Sequence, residues 1–269
     1  NVSLTCPSKE WLEKCLEEME SIEGKLKIHV KIDTGMGRIG TSDKAELVKI
    51  DKLLLSEKID FEGIFSHYSN ADGSDNNYDD YQTKNFDERI KLFTHKPKYI
   101  HIGNSASTVK YSDRQDQYNM TRLGISLYGC YPSENIEKLD KINLDPVVSL
   151  VSKVTHVKKF LKGEKLGYGV SYEAKEDEYI ATVPIGYADG ILRRAQGFKI
   201  KVGSEDCEIV GRVCMDQLMV RCSENIKVGD DVLIFGENNG QKISVDDFAT
   251  YQDTISYEIF CCINKRVPR

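Results

Sequence analysis

The run Lys31-Ile-Asp-Thr-Gly-Met-Gly-Arg38-Ile-Gly40 sets two cations and a carboxylate around three glycines at the end of an alternating apolar segment. Alternation along a strand puts Lys31 and Asp33 on one face. A guanidinium in a glycine loop can grip an anion, so Arg38 is a candidate for binding an anionic ligand and Lys31 for positioning it. His67 follows a second apolar run, in Gly63-Ile-Phe-Ser-His-Tyr-Ser-Asn-Ala-Asp72, and Asn104-Ser105-Ala106-Ser107 follows a third, Tyr99-Ile-His-Ile. Hydroxyls and free amides where a helix starts can cradle a phosphate, and Arg122-Leu-Gly-Ile125 adds a cation and two amides of the same use. Farther on, Tyr168 and Tyr187 stand among glycines in Gly167-Tyr-Gly169 and Gly186-Tyr-Ala-Asp-Gly190, where backbone can approach a ligand or turn sharply. Taken singly, each of these also reads as an ordinary turn or strand end. Met215-Asp216-Gln217 and Tyr257-Glu258 carry no signal of their own.

The elements that must position these residues change character along the chain. Trp11, Leu12, Cys15, Leu16 and Met19 have helical spacing after Ser8, and Leu26, Ile28, Val30 and Ile32 then alternate with polar residues as a strand does. A helix at about 43–55, a strand at 59–65, a charged helix at about 79–93, a strand at 98–102 and a short strand near 124–128 continue the alternation, which predicts successive βα units around a parallel sheet. After Pro146, β-rich runs follow one another at 147–157, 179–185, 198–202, 207–213, 218–220 and 231–235. Turn signals such as Lys162-Gly163, Val228-Gly229 and Asn238-Asn239-Gly240 separate them, and Ser244 with Asp247 can cap one short helix. The expected fold is α/β plus β: a partial (β/α)8 TIM-like barrel over 1–140, then a mostly β domain over 141–269, with the boundary between 135 and 146. Only four or five strands precede that boundary, where a closed barrel needs eight, so the open edge predicts further sequence upstream of Asn1. An open doubly wound sheet is the alternative.

Composition narrows the partners. A chain of 269 residues with 40% hydrophobic content can bury two modest cores, and a net charge of -6 offers no broad basic field for nucleic acid or an anionic membrane. No stretch approaches the roughly 20 apolar residues of a bilayer span. The eight cysteines include no Cys-x-x-Cys pair and read as reduced thiols of a cytoplasmic protein, with no metal-ligand spacing. A small-molecule ligand is the expected partner.

The order and wording of KIDTGMGRIG, HYSNAD, NSAS, TRLGISLYG, GYGVSY, PIGYADG, GRVCMDQ and SYEI with RVPR resemble the alanine racemase family, fold-type III pyridoxal-phosphate enzymes, over essentially the whole chain. The resemblance implies interconversion of L- and D-alanine by two-base proton transfer at Cα, supplying D-alanine for peptidoglycan, in a cytoplasmic homodimer with shared active sites. It makes Tyr168 the catalytic base on one face of Cα, with a cofactor-bearing lysine on the other. It places His67 and Arg122 at the cofactor, Arg122 at the pyridine nitrogen, and Ser105, Gly124, Ile125 and Tyr257 at the phosphate. Arg38, Met215 and Asp216 match positions that hold the cofactor oxygen or the substrate carboxylate. Tyr187, Arg193 and Arg212 match the substrate entry, and Lys31 matches a lysine carbamylated in some members.

A phenol with a pKa of roughly 10 needs nearby positive charge or hydrogen bonds to act as a base at neutral pH. An arginine at the ring nitrogen cannot readily give up a proton, which implies a weaker electron sink. The family's cofactor lysine lies in a run of the type Lys-Ala-Asn-Ala-Tyr-Gly, which does not occur between Asn1 and Arg269. Together with the strand count, this predicts about 100 residues upstream and a short segment after Arg269, and an inactive fragment if 1–269 stands alone. A serine or broad-specificity racemase and a non-catalytic pyridoxal-phosphate-binding relative are the rival readings.

Overall fold

Alternating apolar residues build the first unit's sheet. In a computed structural model describing residues 2–112 and 118–269, the chain divides into one unit of Asn1–Leu127 with Tyr131–Leu144 and a second of Tyr128–Cys130 with Asp145–Arg269. The first carries strands β1 (Leu4–Cys6), β2 (Leu26–Lys31), β3 (Ile59–Phe65) and β4 (Tyr99–His101), paired in that order and all parallel. Parallel neighbours need crossovers, supplied by α1 (Lys9–Met19), α2 (Lys44–Leu53) and α3 (Asn77–Ile90). Ser8 caps α1 by accepting from Trp11 N, and Asp43 caps α2 by accepting from Ala45 N. Ile28, Val30, Ile32, Leu47, Ile50, Ile64 and Phe86 are buried in one cluster.

The alternation that buries Ile28 and Val30 turns His29 and Lys31 to the opposite face of β2. Both faces of a parallel sheet are ordinarily apolar. Here the second face carries His29, Lys31 and His101, with Lys31 only 1% exposed and His101 3%.

The segment between β4 and Pro146 differs from the sequence expectation. Residues 124–128 form no strand; Ile125–Tyr128 is a 3-10 turn. The reason is local: Gly124 N donates to Ser105 Oγ at 2.8 Å and its carbonyl accepts from Leu127 N at 3.0 Å, so this backbone is spent on short-range bonds. Ser105 begins a short helix, α4 (Ser105–Lys110), at the helix start read in Asn104–Ser107, and Asn104 and Ser107 close it with a capping box. Another short helix, α5 (Glu134–Glu137), follows N-cap Ser133.

The second unit is an antiparallel sheet of β5 (Leu150–Lys153), β6 (His156–Phe160), β9 (Glu178–Val183), β10 (Lys199–Val202), β11 (Glu205–Ile209), β12 (Leu218–Cys222), β13 (Asp231–Asn238) and β14 (Gln241–Ile243). Its order is β14-β13-β10-β11-β12-β9-β6, with β5 added to β13, and a small pair of β7 (Lys165–Leu166) and β8 (Tyr172–Glu173) stands apart. The run at 147–157 therefore splits in two. Val154 N donates to Asp230 O and Thr155 N to Thr182 O, so the chain leaves β13 and joins β9 between adjacent residues. Asn239-Gly240, both at positive φ, makes the two-residue turn between β13 and β14. Ser244 caps α6 (Val245–Tyr251) through the amides of Asp246 and Asp247. A further helix, α7 (Ser256–Cys262), carries Tyr257. No helix among the described residues is long and apolar enough to cross a membrane.

Candidate active site

Cations gather on the polar face of the barrel sheet. Lys31, at the end of β2, donates from Nζ to Ile32 O at 2.8 Å and lies 5.7 Å from the Phe65 ring centre. Burial pushes its amine down to about 8, with Arg122 and Arg38 adding to the fall and Asp33 opposing it. Asp33 has little charge to spare: its Oδ1 accepts from Gly35 N at 3.0 Å and Gly37 N at 3.1 Å, shaping the glycine loop. Against the opposing pull of burial, those amides hold its carboxyl below the usual range. Arg38 is exposed at the far end of that loop.

Arg122 is the centre of the cluster. Its Nη2 donates to Ser66 O at 2.9 Å, His67 Nδ1 at 3.0 Å and Ile102 O at 3.3 Å, while Nη1 meets His101 Nδ1. Its guanidinium also stands 5.2 Å from the Phe65 ring centre. No carboxylate pairs with it among the described residues. Burial and then Arg38 lower its pKa to about 10, which leaves it cationic at neutral pH. Burial, followed by Arg122, lowers His67 to about 4 and His101 to about 3, so both rings are neutral. Arginine only donates, so His67 accepts at Nδ1 and carries its proton on Nε2. Lys31, Arg38, His67 and Arg122 are thus brought together, and the group can hold negative charge.

Ser105, Gly124 and Ile125 form a second group beside Arg122 in the chain. Because Ser105 Oγ accepts from Gly124 N, its own hydroxyl proton remains to be donated. Ser126 Oγ, next along the turn, is buried with no hydrogen-bond partner among the described residues. A buried hydroxyl without a partner is costly, and an anion's oxygen at this turn would satisfy it.

Sequence reasoning missed Gln82. This α3 residue is 0% exposed; its Nε2 donates to Thr34 Oγ1 at 3.2 Å and His67 O at 2.8 Å, and its Oε1 accepts from Ser69 N and Oγ, each at 2.9 Å. It ties the loops after β2 and β3 together. The available signal was its position between Asp79 and Phe86 on the buried stripe of α3, where an apolar residue is the norm.

The second unit presents its candidates to solvent. Tyr168 is 70% exposed, in the turn Tyr168–Val170, where Gly167, Gly169 and even β-branched Val170 have positive φ. A Cβ on Gly169 would stand 2.5 Å from Arg212 Nη1, so the missing side chain admits that guanidinium against the tyrosine's own turn. Tyr187 and Met215 share a surface through backbone bonds from Tyr187 N to Cys214 O and Ala188 N to Met215 O, both 3.0 Å. Asp216 is engaged by Arg266, which sequence reasoning passed over: Nη2 meets Asp216 Oδ1 at 2.7 Å and Nε meets Asp189 Oδ1 at 2.9 Å. Arg193 is exposed in the turn Arg193–Ala195, and Tyr257 is partly exposed on α7.

Residues 1–132 match the family model of the alanine racemase N-terminal domain, and residues 147–269 match that of the C-terminal domain. The chain belongs to the alanine racemase family. An alanine racemase of Ligilactobacillus salivarius is 44% identical, with all of this chain aligned to 72% of the relative, and one of Lactococcus lactis subsp. lactis is 42% identical over the same shares. The crystal structure of an alanine racemase from Bacillus anthracis with bound L-Ala-P superposes with a TM-score of 0.94 at 38% identity, covering 100% of this chain and 70% of that one. Alanine racemases are isomerases, and the fold class expected from the sequence, barrel part plus β domain, is that of the family. Within its N-terminal-domain match lie Lys31, Arg38, His67 and Arg122; within its C-terminal-domain match lie Tyr168, Arg212, Met215 and Asp216.

Proposed function

We propose that this chain serves the pyridoxal-phosphate-dependent interconversion of L- and D-alanine, as part of a cytoplasmic homodimer supplying D-alanine for peptidoglycan. The observation that carries the reading is Arg122: a half-buried cation with no carboxylate in contact among the described residues, flanked by two neutral histidines. When bound, pyridoxal phosphate withdraws the electron pair left at Cα and so acidifies the Cα proton. The residues present fit that group, since the Ser105 and Ser126 hydroxyls and the Ile125 amide suit a phosphate, while the Gly124 amide orients Ser105; the resemblance would assign Tyr257 to the same phosphate.

Arg122 would face the ring nitrogen as a donor that stays protonated, which keeps the ring's negative charge low and discourages transamination. Tyr168 Oη would take or return the Cα proton on one face. A phenolate forms at neutral pH only with a donor or positive charge beside it; within the barrel unit, His67 keeps its Nε2–H for an anionic group, and Arg122 behind it lowers the cost of negative charge there. Arg38, Met215 and Asp216 would hold the substrate carboxylate or the cofactor oxygen, while Tyr187, Arg193 and Arg212 line the entry. The exposed Tyr168, Val170, Tyr187 and Met215 support the homodimer, because apolar surface beside functional groups favours a second subunit. Lys31, fully buried with an amine pushed down to about 8, is suited to carbamylation; the carbamate would pair with Arg38. Incubation with labelled bicarbonate, followed by carbon NMR, tests it.

Racemisation of alanine by the complete protein with added pyridoxal phosphate is the direct test. A kcat/KM for alanine at least about tenfold above that for serine is expected from one unmatched hydroxyl in a small pocket. Equal or inverted preference would remove alanine as the substrate.

A further inference from the structure

Arg122 also fixes the protons of two side chains beyond it. Because its Nη1 donates to His101 Nδ1, His101 carries its proton on Nε2. That N–H meets His29 Nδ1 at 2.8 Å, so His29 too is protonated on Nε2, which faces Glu62 Oε2 at 3.2 Å. Every N–H of the series points away from Arg122 and every imidazole lone pair points toward it. The series ends on a carboxylate that the Ser3 hydroxyl, then His29 and Lys27, hold below the usual range. The rings are fixed in plane by stacking, His101 on Phe65 at 5.0 Å and His29 on Tyr99 at 6.0 Å.

The backbone is shaped around this series. In the pairing of β2 with β3, Ile28 opposes Phe61 but His29 opposes Gly63, so Glu62 is the extra residue of a bulge. Bulges are rare in parallel pairs and re-aim the side chain they carry; this one brings Glu62 to His29. Next to it, a Cβ on Gly63 would stand 2.3 Å from His29 Nδ1, so the imidazole fills the space a side chain would need.

We propose that His29 and Glu62 are positioning residues that act as a remote counter-ion for Arg122, relaying a carboxylate's field through two oriented imidazoles. A carboxylate in direct contact would take the guanidinium's donors. Through the relay, Nε–H and the second Nη1–H stay without an acceptor among the described residues and remain for a ring nitrogen. This use of the relay rests on the pyridoxal-phosphate reading above; the proton positions do not.

Nitrogen-15 labelling of the five histidines in the full chain, read by long-range proton–nitrogen correlation at neutral pH, tests the protonation pattern. His29 and His101 are expected as neutral Nε2–H tautomers; an Nδ1–H tautomer or a doubly protonated ring at either position overturns the proposal. His29→Leu removes the acceptor and is expected to mix the His101 tautomers and weaken pyridoxal-phosphate binding, measured by equilibrium dialysis, about tenfold. His29→Asn, whose Oδ1 stands where Nδ1 did, is expected to restore both. Unchanged tautomer and affinity in His29→Leu would refute the relay. Expected tautomers and the expected His29→Leu effect, in a parent that binds pyridoxal phosphate but does not racemise alanine, would uphold the relay and remove the substrate reading, so the two fail separately.

Discussion

The cationic cluster of the barrel unit and the tyrosine turn of the β unit are held in opposite ways. Arg122 is fixed by four acceptors and an aromatic face, and the loops around it by Gln82. Tyr168 stands in solvent on a turn built from positive-φ residues, with Arg212 lodged against it. One group is set by the fold that surrounds it. The other has its geometry stored in a short stretch of backbone and its side chain left free to meet something else. Damage to the first should therefore show in stability as well as chemistry, and damage to the second in chemistry alone.

The sharpest separation is expected for Tyr168→Phe. Loss of an acid–base group should lower racemisation by about 10²–10⁴-fold in the complete protein, while an exposed hydroxyl should change unfolding free energy by less than about 0.5 kcal/mol. Steady-state kinetics beside urea melts check both, and a large stability loss would break the contrast. For Gln82→Leu the pattern inverts. Leaving the loop groups that Gln82 serves unsatisfied should cost about 1–3 kcal/mol of stability, with activity falling because His67 and Thr34 lose their common anchor.

Acid should reach the barrel cluster first. His67 and His101 titrate near 4 and 3 in the folded chain against 6.5 when unperturbed. From pH 6.5 down toward pH 4 the unfolded chain therefore binds more protons there than the folded one, so stability falls as pH drops through that window. Urea midpoints across it should decline less steeply in His67→Asn than in the parent. The smallest effect is expected for Arg266→Gln, which removes a half-exposed guanidinium from half-exposed Asp216 and from buried Asp189, whose other oxygen keeps the Gly186 amide; about 1 kcal/mol of stability should go, with KM for alanine rising more than kcat falls.

The same contrast governs what could be read in advance. Helix–strand alternation up to β4 and the β-rich runs after Pro146 were legible because burial imposes a period on the residues themselves. The segment at 124–128 was misread as a strand because its apolar residues mimic one, whereas the bond from Gly124 N to Ser105 Oγ joins positions 19 apart and leaves no periodic trace. Gln82, Arg266 and the series through His29 to Glu62 escaped for the same reason: each is defined by partners brought together from distant parts of the chain. The tyrosine turn was visible as glycines flanking a tyrosine, but its exposure was not, since most tyrosines in such runs simply pack.

The central claim, that Tyr168 serves one face of Cα only, is tested most directly by following deuterium uptake at Cα from D2O with the complete Tyr168→Phe protein, starting separately from L- and D-alanine. The account predicts that one enantiomer still exchanges its Cα hydrogen near the parental rate while the other nearly stops. Equal exchange of both at parental rates would contradict it.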